Sequence, residues 1–361
     1  MRCPDCAAPL NFSKSIPFAA STFRDSLDDT AHGVWRYRRL LPIAPDVTPI
    51  TLGEGATPIV DLPRWGAANG LPRLQAKMEQ LSPTGSFKDR GATLLFTALA
   101  AAGVQEVVED SSGNAGAAAA AYAARAGIAA RIFVPQSAPP AKIAQIAAHG
   151  ATIVPIPGTR QDVTTAAEAS INDDGVYASH NLSPYFPASL KTFAYELIEQ
   201  LRQQLPTHIV FPVGNGGLLI GAAQGIADLV RLASLRMPHL HAAQAANCAP
   251  VVHRHQHGSS ASVPEFRPTI AGGVAVTDPP RITEILDALR TSEGTAIAVT
   301  EEQIRECTET LARLEGLYVE PTSAVAFAAA IQLRRDGVIG VDDTVLIPVT
   351  GSGLKDPLTS G

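Results

Sequence analysis

Lys88 stands in the stretch SPTGSFKDRG, residues 82–91, where small and hydroxylated residues turn into the helical pattern Ala92-Thr93-Leu94-Leu95-Phe96. Most lysines are solvated surface groups, and a surface lysine at a helix start is the plain reading of this one taken alone. Three other stretches change that reading, because each puts a different recognition group on a turn behind an apolar strand pattern. In Gly214, Asn215, Gly216 and Gly217, between HIVFPV and the helical LLIGAAQGIADLVRLA, glycines let successive backbone N–H groups turn toward one point. The helix N-terminus adds partial positive charge, which makes a cradle suited to a phosphate. A tight strand-to-helix turn also needs glycines, and the stretch has neither the lysine of a Walker loop nor G-x-G-x-x-G spacing. Ser111 to Gly116, SSGNAG, offers hydroxyls, an amide and backbone N–H groups for a carboxylate or an aromatic hydroxyl, although helix capping alone would also place Ser and Asn there. Thr350 and Ser352, in PVTGSG, carry neutral hydroxyls that can meet a ring nitrogen without fixing a charge on it, or simply form a turn.

The elements that must position these groups follow from the apolar pattern. After an irregular first 50 residues, apolar runs alternate with helical ones: EVVED with an alanine-rich run, ARIFVP with AKIAQIAAHG, ATIVPIP with DVTTAAEASI, then HIVFPV with its helix, and DTVLIPV near the end. That alternation is the βαβ pattern of an α/β protein built on parallel sheet. Ligands of such sheets bind at the carboxyl ends of strands, which is where the asparagine, glycine and threonine stretches fall. The segment HRHQHGSSASVPEF, residues 253–266, reads as a mobile surface loop. Its histidines have no carboxylate or cysteine among them to complete a metal site.

Composition narrows the function classes. The chain has 361 residues, 46% hydrophobic and 17% charged, enough for one large domain or two ordinary ones, and its net charge of -6 contains no long run of one sign. No nucleic-acid partner is expected. The N-terminus MRCPDCAAPL lacks the regions of a signal peptide, no apolar stretch suits a bilayer, and four cysteines do not make a disulfide framework. A cytoplasmic protein with a small-molecule substrate and no membrane partner is the expectation. Cys3 and Cys6 form a C-x-x-C, half of a zinc site; with no second pair, no metal is assigned, and Cys248 and Cys307 suit apolar burial.

Taken together, the four stretches resemble the pyridoxal-phosphate enzymes of the β family, fold type II, and most of all threonine synthase. GVWRYRRLLP (33–42), LGEGATPIV (52–60), SPTGSFKDRG, SSGNAGAAAAAYAARAG, PVGNGGLL, EPTSAVAFAA (320–329) and VTGSGLKDP (349–357) are similar to that family's blocks and keep their order. The resemblance implies two open parallel-sheet domains with pyridoxal 5'-phosphate between them: an N-terminal extension of residues 1–50, a large cofactor domain of 51–85 and 186–361, and a small domain of 86–185 carrying the asparagine loop. It implies that Lys88 forms the Schiff base and moves the substrate's α-proton. Asn114 would meet the ring hydroxyl, Gly214, Asn215, Gly216 and Gly217 the cofactor phosphate, and Thr350 the pyridine nitrogen. Ser111, Ser112 and Ala115 would receive the substrate carboxylate. A lysine amine, with a reference pKa near ~10.4, does such work only in a desolvated or cation-flanked setting, and Arg90 is a neighbouring cation. Proteins of this kind are usually homodimers.

The chain departs from the family where threonine synthase binds the phosphate of its substrate, O-phosphohomoserine. The family's N-P-Y-R-x-x-G-Q-K-T corresponds here to SPYFPASLKT, residues 183–192. Phe186 replaces the arginine and Leu190 the glutamine, while Lys191 and Thr192 remain; Ala115 stands where a threonine is usual. A charged hydrogen bond contributes about 1.5–3 kcal/mol, so losing an arginine and a hydroxyl contact would weaken phosphate binding on the order of 10²–10³-fold unless other residues replace them. Phe186 and Lys191 are therefore substrate-side candidates for a lyase that performs β/γ-elimination or replacement on a small L-amino acid. Leu218 and Ile220 resemble the glycine-loop continuation of serine and threonine ammonia-lyases, which make a 2-keto acid. A non-catalytic cofactor-binding protein is the reading from another class.

Overall fold

The computed structural model describes residues 2–12, 23–138, 140–171, 175–202, 204–233, 235–262 and 264–356. Ten strands occur among them: β1 (Ile59–Asp61), β2 (Leu74–Lys77), β3 (Glu106–Glu109), β4 (Ala129–Pro135), β5 (Thr152–Ile156), β6 (Gly175–Tyr177), β7 (His208–Pro212), β8 (His239–Ala245), β9 (Ala296–Val299) and β10 (Val345–Pro348). They belong to two compact units, one made of the described parts of Met1–Ala56 and Ser82–Leu190, the other of Thr57–Leu81 and the described parts of Lys191–Gly361.

The first unit holds the four-stranded sheet β5-β4-β3-β6, parallel throughout. The chain steps outward from β3 to β4 to β5, then returns to place β6 on the other side of β3, so the winding reverses between β3 and β6. Loops leaving the carboxyl ends of two strands at such a reversal diverge and leave a crevice. The SSGNAG loop leaves β3 there. Its helix, Asn114–Ala126, is alanine-rich and ends on Gly127 at φ 71°, the left-handed cap that glycine adopts without a Cβ clash. The helix Lys88–Ala101 packs against it. The first 50 residues, irregular in sequence, form 3₁₀ turns at Arg24–Ser26 and Gly33–Leu40. Trp35 Nε1 donates to Thr93 Oγ1 at 2.9 Å, and Val34, Trp35 and Leu41 share a buried cluster with Leu94, so this segment covers the Lys88 helix.

The second unit holds the six-stranded sheet β1-β2-β10-β7-β8-β9. It is parallel except at its edge, where β1 pairs antiparallel with β2. Residues 209–211 of β7 and Val345–Pro348 of β10 are apolar and buried at every position, as in a strand covered on both faces; the core gathers Ile347, Val210 and Ala243 with the helix Pro321–Arg335. Winding reverses again, between β7 and β10. GNGG leaves β7 and Thr350 follows β10, so this unit also puts its sequence motifs at a switch point. The expected loop at 253–266 is in part a helix, Pro250–His257, because Pro250 at its first turn needs no N–H partner and Val251 and Val252 bury its inner face. Val263 lies outside the described residues.

Candidate active site

In the first unit Lys88 is the first residue of its helix. The turn before it is held from inside the helix: Asp89 reaches back so that Thr84 N donates to Oδ2 and Thr84 Oγ1 to Oδ1, each at 2.7 Å. The Lys88 ammonium lies 4.8 Å from the centroid of Phe87 and 5.7 Å from that of Phe186, within cation–π range. Phe186, 3% exposed, fits the notch left by Gly91, where a Cβ would overlap its ring. Arg90 is buried, and its carbonyl accepts from Ser189 Oγ.

Ser111, Ser112, Gly113 and Asn114 are half-buried and Ala115 is buried. Gly113 N donates to Ser111 Oγ at 3.3 Å, and Gly116 lets the helix start close against the Ser111 carbonyl, where any Cβ would collide. The first N–H groups of the helix thus open at the carboxyl end of β3.

Charged groups that the sequence reading passed over stand beside this loop. Glu109 closes β3 with Oε1 2.8 Å from His180 Nδ1, and Asp110 accepts from Arg160 Nη1 at 2.8 Å and Thr164 Oγ1 at 2.6 Å. Burial, then the adjacent Asp110, pushes the Glu109 carboxyl well above the usual carboxylate range. Burial, then the charges of Lys88 and Arg160, holds His180 well below the usual imidazole value. Burial, then Asp110 and Glu109, raises the Tyr177 phenol. The available signal was two acids ending an apolar strand, EVVED.

In the second unit the glycine turn is built from backbone. Gly216 has φ +76°, and a Cβ there would overlap Ile285; a Cβ on Gly214 would come 2.6 Å from the Gly273 carbonyl. Ile220 N donates to Gly216 O at 2.9 Å, so the 17-residue helix Gly217–Ala233 begins on this turn and its first N–H groups are turned out toward it. A phosphate fits such a cradle. Thr350, 2% exposed, has Oγ1 2.9 Å from Ser323 Oγ and 3.4 Å from Glu320 Oε1. Ser323 accepts from Gly351 N at 3.1 Å. Ser323 and Glu320 lie in the block EPTSA, whose contact with Thr350 only the fold reveals. Lys191 is ion-paired to Asp228 at 3.0 Å, with Tyr195 Oη donating to the same oxygen at 2.9 Å. Leu218 and Ile220 are buried, Ile220 beside Gly216, so packing accounts for their apolar character. Cys3, Cys6, Cys248 and Cys307 are free thiols, and among the described residues no group of three or more His, Cys, Asp or Glu side chains could hold a metal.

Residues 50–351 match the family model described as pyridoxal-phosphate dependent enzyme. The chain belongs to that family. It is 36% identical over 338 residues to the threonine synthase of Methanosarcina acetivorans, covering 93% of this chain and 83% of that protein. It is 36% identical over 327 residues to the threonine synthase of Mycobacterium tuberculosis strain H37Rv, covering 90% and 88%. Among solved structures, the fungal L-serine ammonia-lyase of Rhizomucor miehei superposes with a TM-score of 0.74 at 21% identity, over 84% of this chain and 95% of that one, which is likeness of fold. The fold type II reading, the dependence on pyridoxal 5'-phosphate and the threonine-synthase-like lyase class all agree with these matches. No described helix of this pyridoxal-phosphate enzyme is long and apolar enough to cross a membrane.

Proposed function

We propose that the chain is a threonine synthase, converting O-phosphohomoserine and water to threonine and phosphate. The observation that carries this reading is the 36% identity to a threonine synthase across 93% of the chain, beside a family match over residues 50–351 that contains Lys88, Asn114, the glycine turn and Thr350. When bound, pyridoxal phosphate supplies an electron sink for charge that develops on the substrate carbon skeleton. In this reading Gly214, Asn215, Gly216 and Gly217 receive the cofactor phosphate, Thr350 its ring nitrogen and Asn114 its ring hydroxyl. Ser111, Ser112 and Ala115 orient the substrate carboxylate. Lys88 would hold the cofactor through its Nζ, and the same Nζ would take the substrate α-proton and return a proton to the skeleton.

An ammonia-lyase yielding a 2-keto acid is the competing reading, and one observation favours it: Phe186, packed against Gly91 and the His180 ring, offers no donor to a substrate phosphate, and Lys191 is already engaged with Asp228. The test is phosphate release from O-phosphohomoserine with threonine formed, using Lys88→Ala as the blank. Keto acid and ammonium from serine or threonine, with no phosphate released from O-phosphohomoserine, would select the competing reading. A protein that binds the cofactor and turns over neither substrate would be non-catalytic. The reading extends to a cytoplasmic homodimer. Four free thiols without a disulfide suit a reducing compartment, and light scattering on the purified protein tests the dimer.

A further inference from the structure

The cluster at the β3/β6 reversal exceeds what the proposed chemistry requires. Glu109, 1% exposed, engages His180 through Oε1, while its other oxygen, Oε2, is buried without a hydrogen-bond partner. His180 packs edge-on to Phe186 at 5.7 Å, and the same Phe186 ring lies 5.7 Å from the Lys88 ammonium. One contact chain therefore runs from a buried carboxyl through an imidazole and a benzene ring to the lysine.

We infer that Glu109 and His180 form a positioning pair that shares one proton and whose charge is coupled to the charge on Lys88. This rests on the reading of Lys88 as the cofactor lysine. A carboxyl and an imidazole 2.8 Å apart, the first 1% and the second 10% exposed, hold one proton between them more readily than two or none, because either alternative leaves a net charge in a poorly solvated place. The groups facing the pair are Asp110 on the end of β3, the Tyr177 phenol on β6, which burial pushes up and keeps neutral, Arg160 on the helix Arg160–Ala169, Lys88 on its own helix, and the His180 backbone N–H. Asp110 and Arg160 are paired with each other, so Lys88 is the facing charge that changes during turnover. A positive Lys88 opposes the proton on both members of the pair. Linkage is reciprocal: a pair that has lost its proton carries one negative charge and strengthens the hold of Lys88 Nζ on its own proton. The pair thereby moderates the cost of the lysine's alternation between charged and neutral forms.

The test uses the cofactor-loaded protein and the pH titration of the visible absorbance that depends on Lys88. In Glu109→Gln, which keeps the shape and leaves a pair that cannot become negative, the midpoint is expected to fall by on the order of one pH unit, and Glu109→Asp should return it toward the wild-type value. In wild-type protein, difference infrared spectra should contain a protonated-carboxyl band that follows the chromophore with the same midpoint. That measurement needs no variant to fold. An unchanged midpoint in loaded, folded Glu109→Gln, a chromophore independent of pH in both proteins, or absence of the infrared band would overturn the inference. Failure of the underlying reading is distinguishable from these, since Lys88→Ala would then keep the chromophore.

Discussion

The two units place their candidate site residues at the same topological feature, a reversal of strand order, and make them from opposite materials. The second unit uses mainly backbone and hydroxyls: a glycine turn opening a helix, and Thr350 beside Ser323, with the Glu320 carboxylate behind it and Lys191 already paired to Asp228. The first unit uses titrating and aromatic side chains: Lys88 between Phe87 and Phe186, with Glu109, His180, Asp110 and Arg160 close by. Backbone N–H groups keep their polarity at any pH, so the second arrangement suits constant binding. Side chains with opposed proton affinities respond to charge, so the first suits chemistry in which protons move. Function should therefore be sensitive to charge in the first unit and to shape in the second.

The largest effect expected is that of Lys88→Ala: loss of the visible chromophore and of turnover, read by absorbance and product assay. Retained turnover would break the comparison at its first term. Next is Gly216→Ala, which leaves every titrating group in place. A residue with a Cβ at φ +76° beside Ile285 costs on the order of 1–2 kcal/mol in backbone strain alone, and cofactor affinity should fall roughly tenfold or more, measured by equilibrium titration with pyridoxal phosphate.

Gly91→Ala tests the first unit by shape instead. A helix-interior Gly→Ala change ordinarily stabilises by about 1 kcal/mol, but the new methyl would overlap the Phe186 ring, and overpacking costs about 1–3 kcal/mol. A net loss of up to about 2 kcal/mol in thermal or denaturant unfolding is the expectation, with Gly91→Ala/Phe186→Ala less destabilised than the sum of the single changes.

The smallest effect concerns pH and stability in the second unit. His208 Nδ1 lies 3.0 Å from His241 Nε2, and His208 stacks on both His239 and His241. Burial, then His208 and His239, holds His241 down at about 3, and burial also lowers His208 despite Asp343. These folded-state values lie below the unfolded value of 6.5, so the histidines do not weaken the fold above that pH. As pH falls from there toward about 3, the unfolded chain takes up protons that the folded chain refuses, and stability is lost progressively. His241→Gln should flatten that acid limb in denaturant titrations, while the visible chromophore keeps its own pH profile.

Much of this was legible in the sequence. The alternation of apolar and helical runs announced the parallel sheets, and the glycine, asparagine and threonine turns were found at the strand ends where they lie, because turn chemistry is local and carries its own residue signature. The antiparallel β1 edge was not legible, nor was the helix Pro250–His257 inside a polar, histidine-bearing stretch. Polar composition resembles loop until Val251 and Val252 find a surface to cover. The Glu109–His180 pair was missed for a related reason: its members are separated by 71 residues, and no spacing rule joins a strand end to the turn after a neighbouring strand.

The sequence by itself identified this chain as a pyridoxal-phosphate enzyme of the threonine-synthase kind, since seven blocks resemble that family's and keep their order, and the strand-end turns among them carry their own local residue signature. Tertiary structure alone decided what surrounds those groups. It seated Phe186 on Gly91, tied Lys191 to Asp228, and buried Glu109 and Asp110 against His180 and Arg160. Those outcomes depend on which strands become neighbours, and burial and Coulomb interaction act through space rather than along the chain.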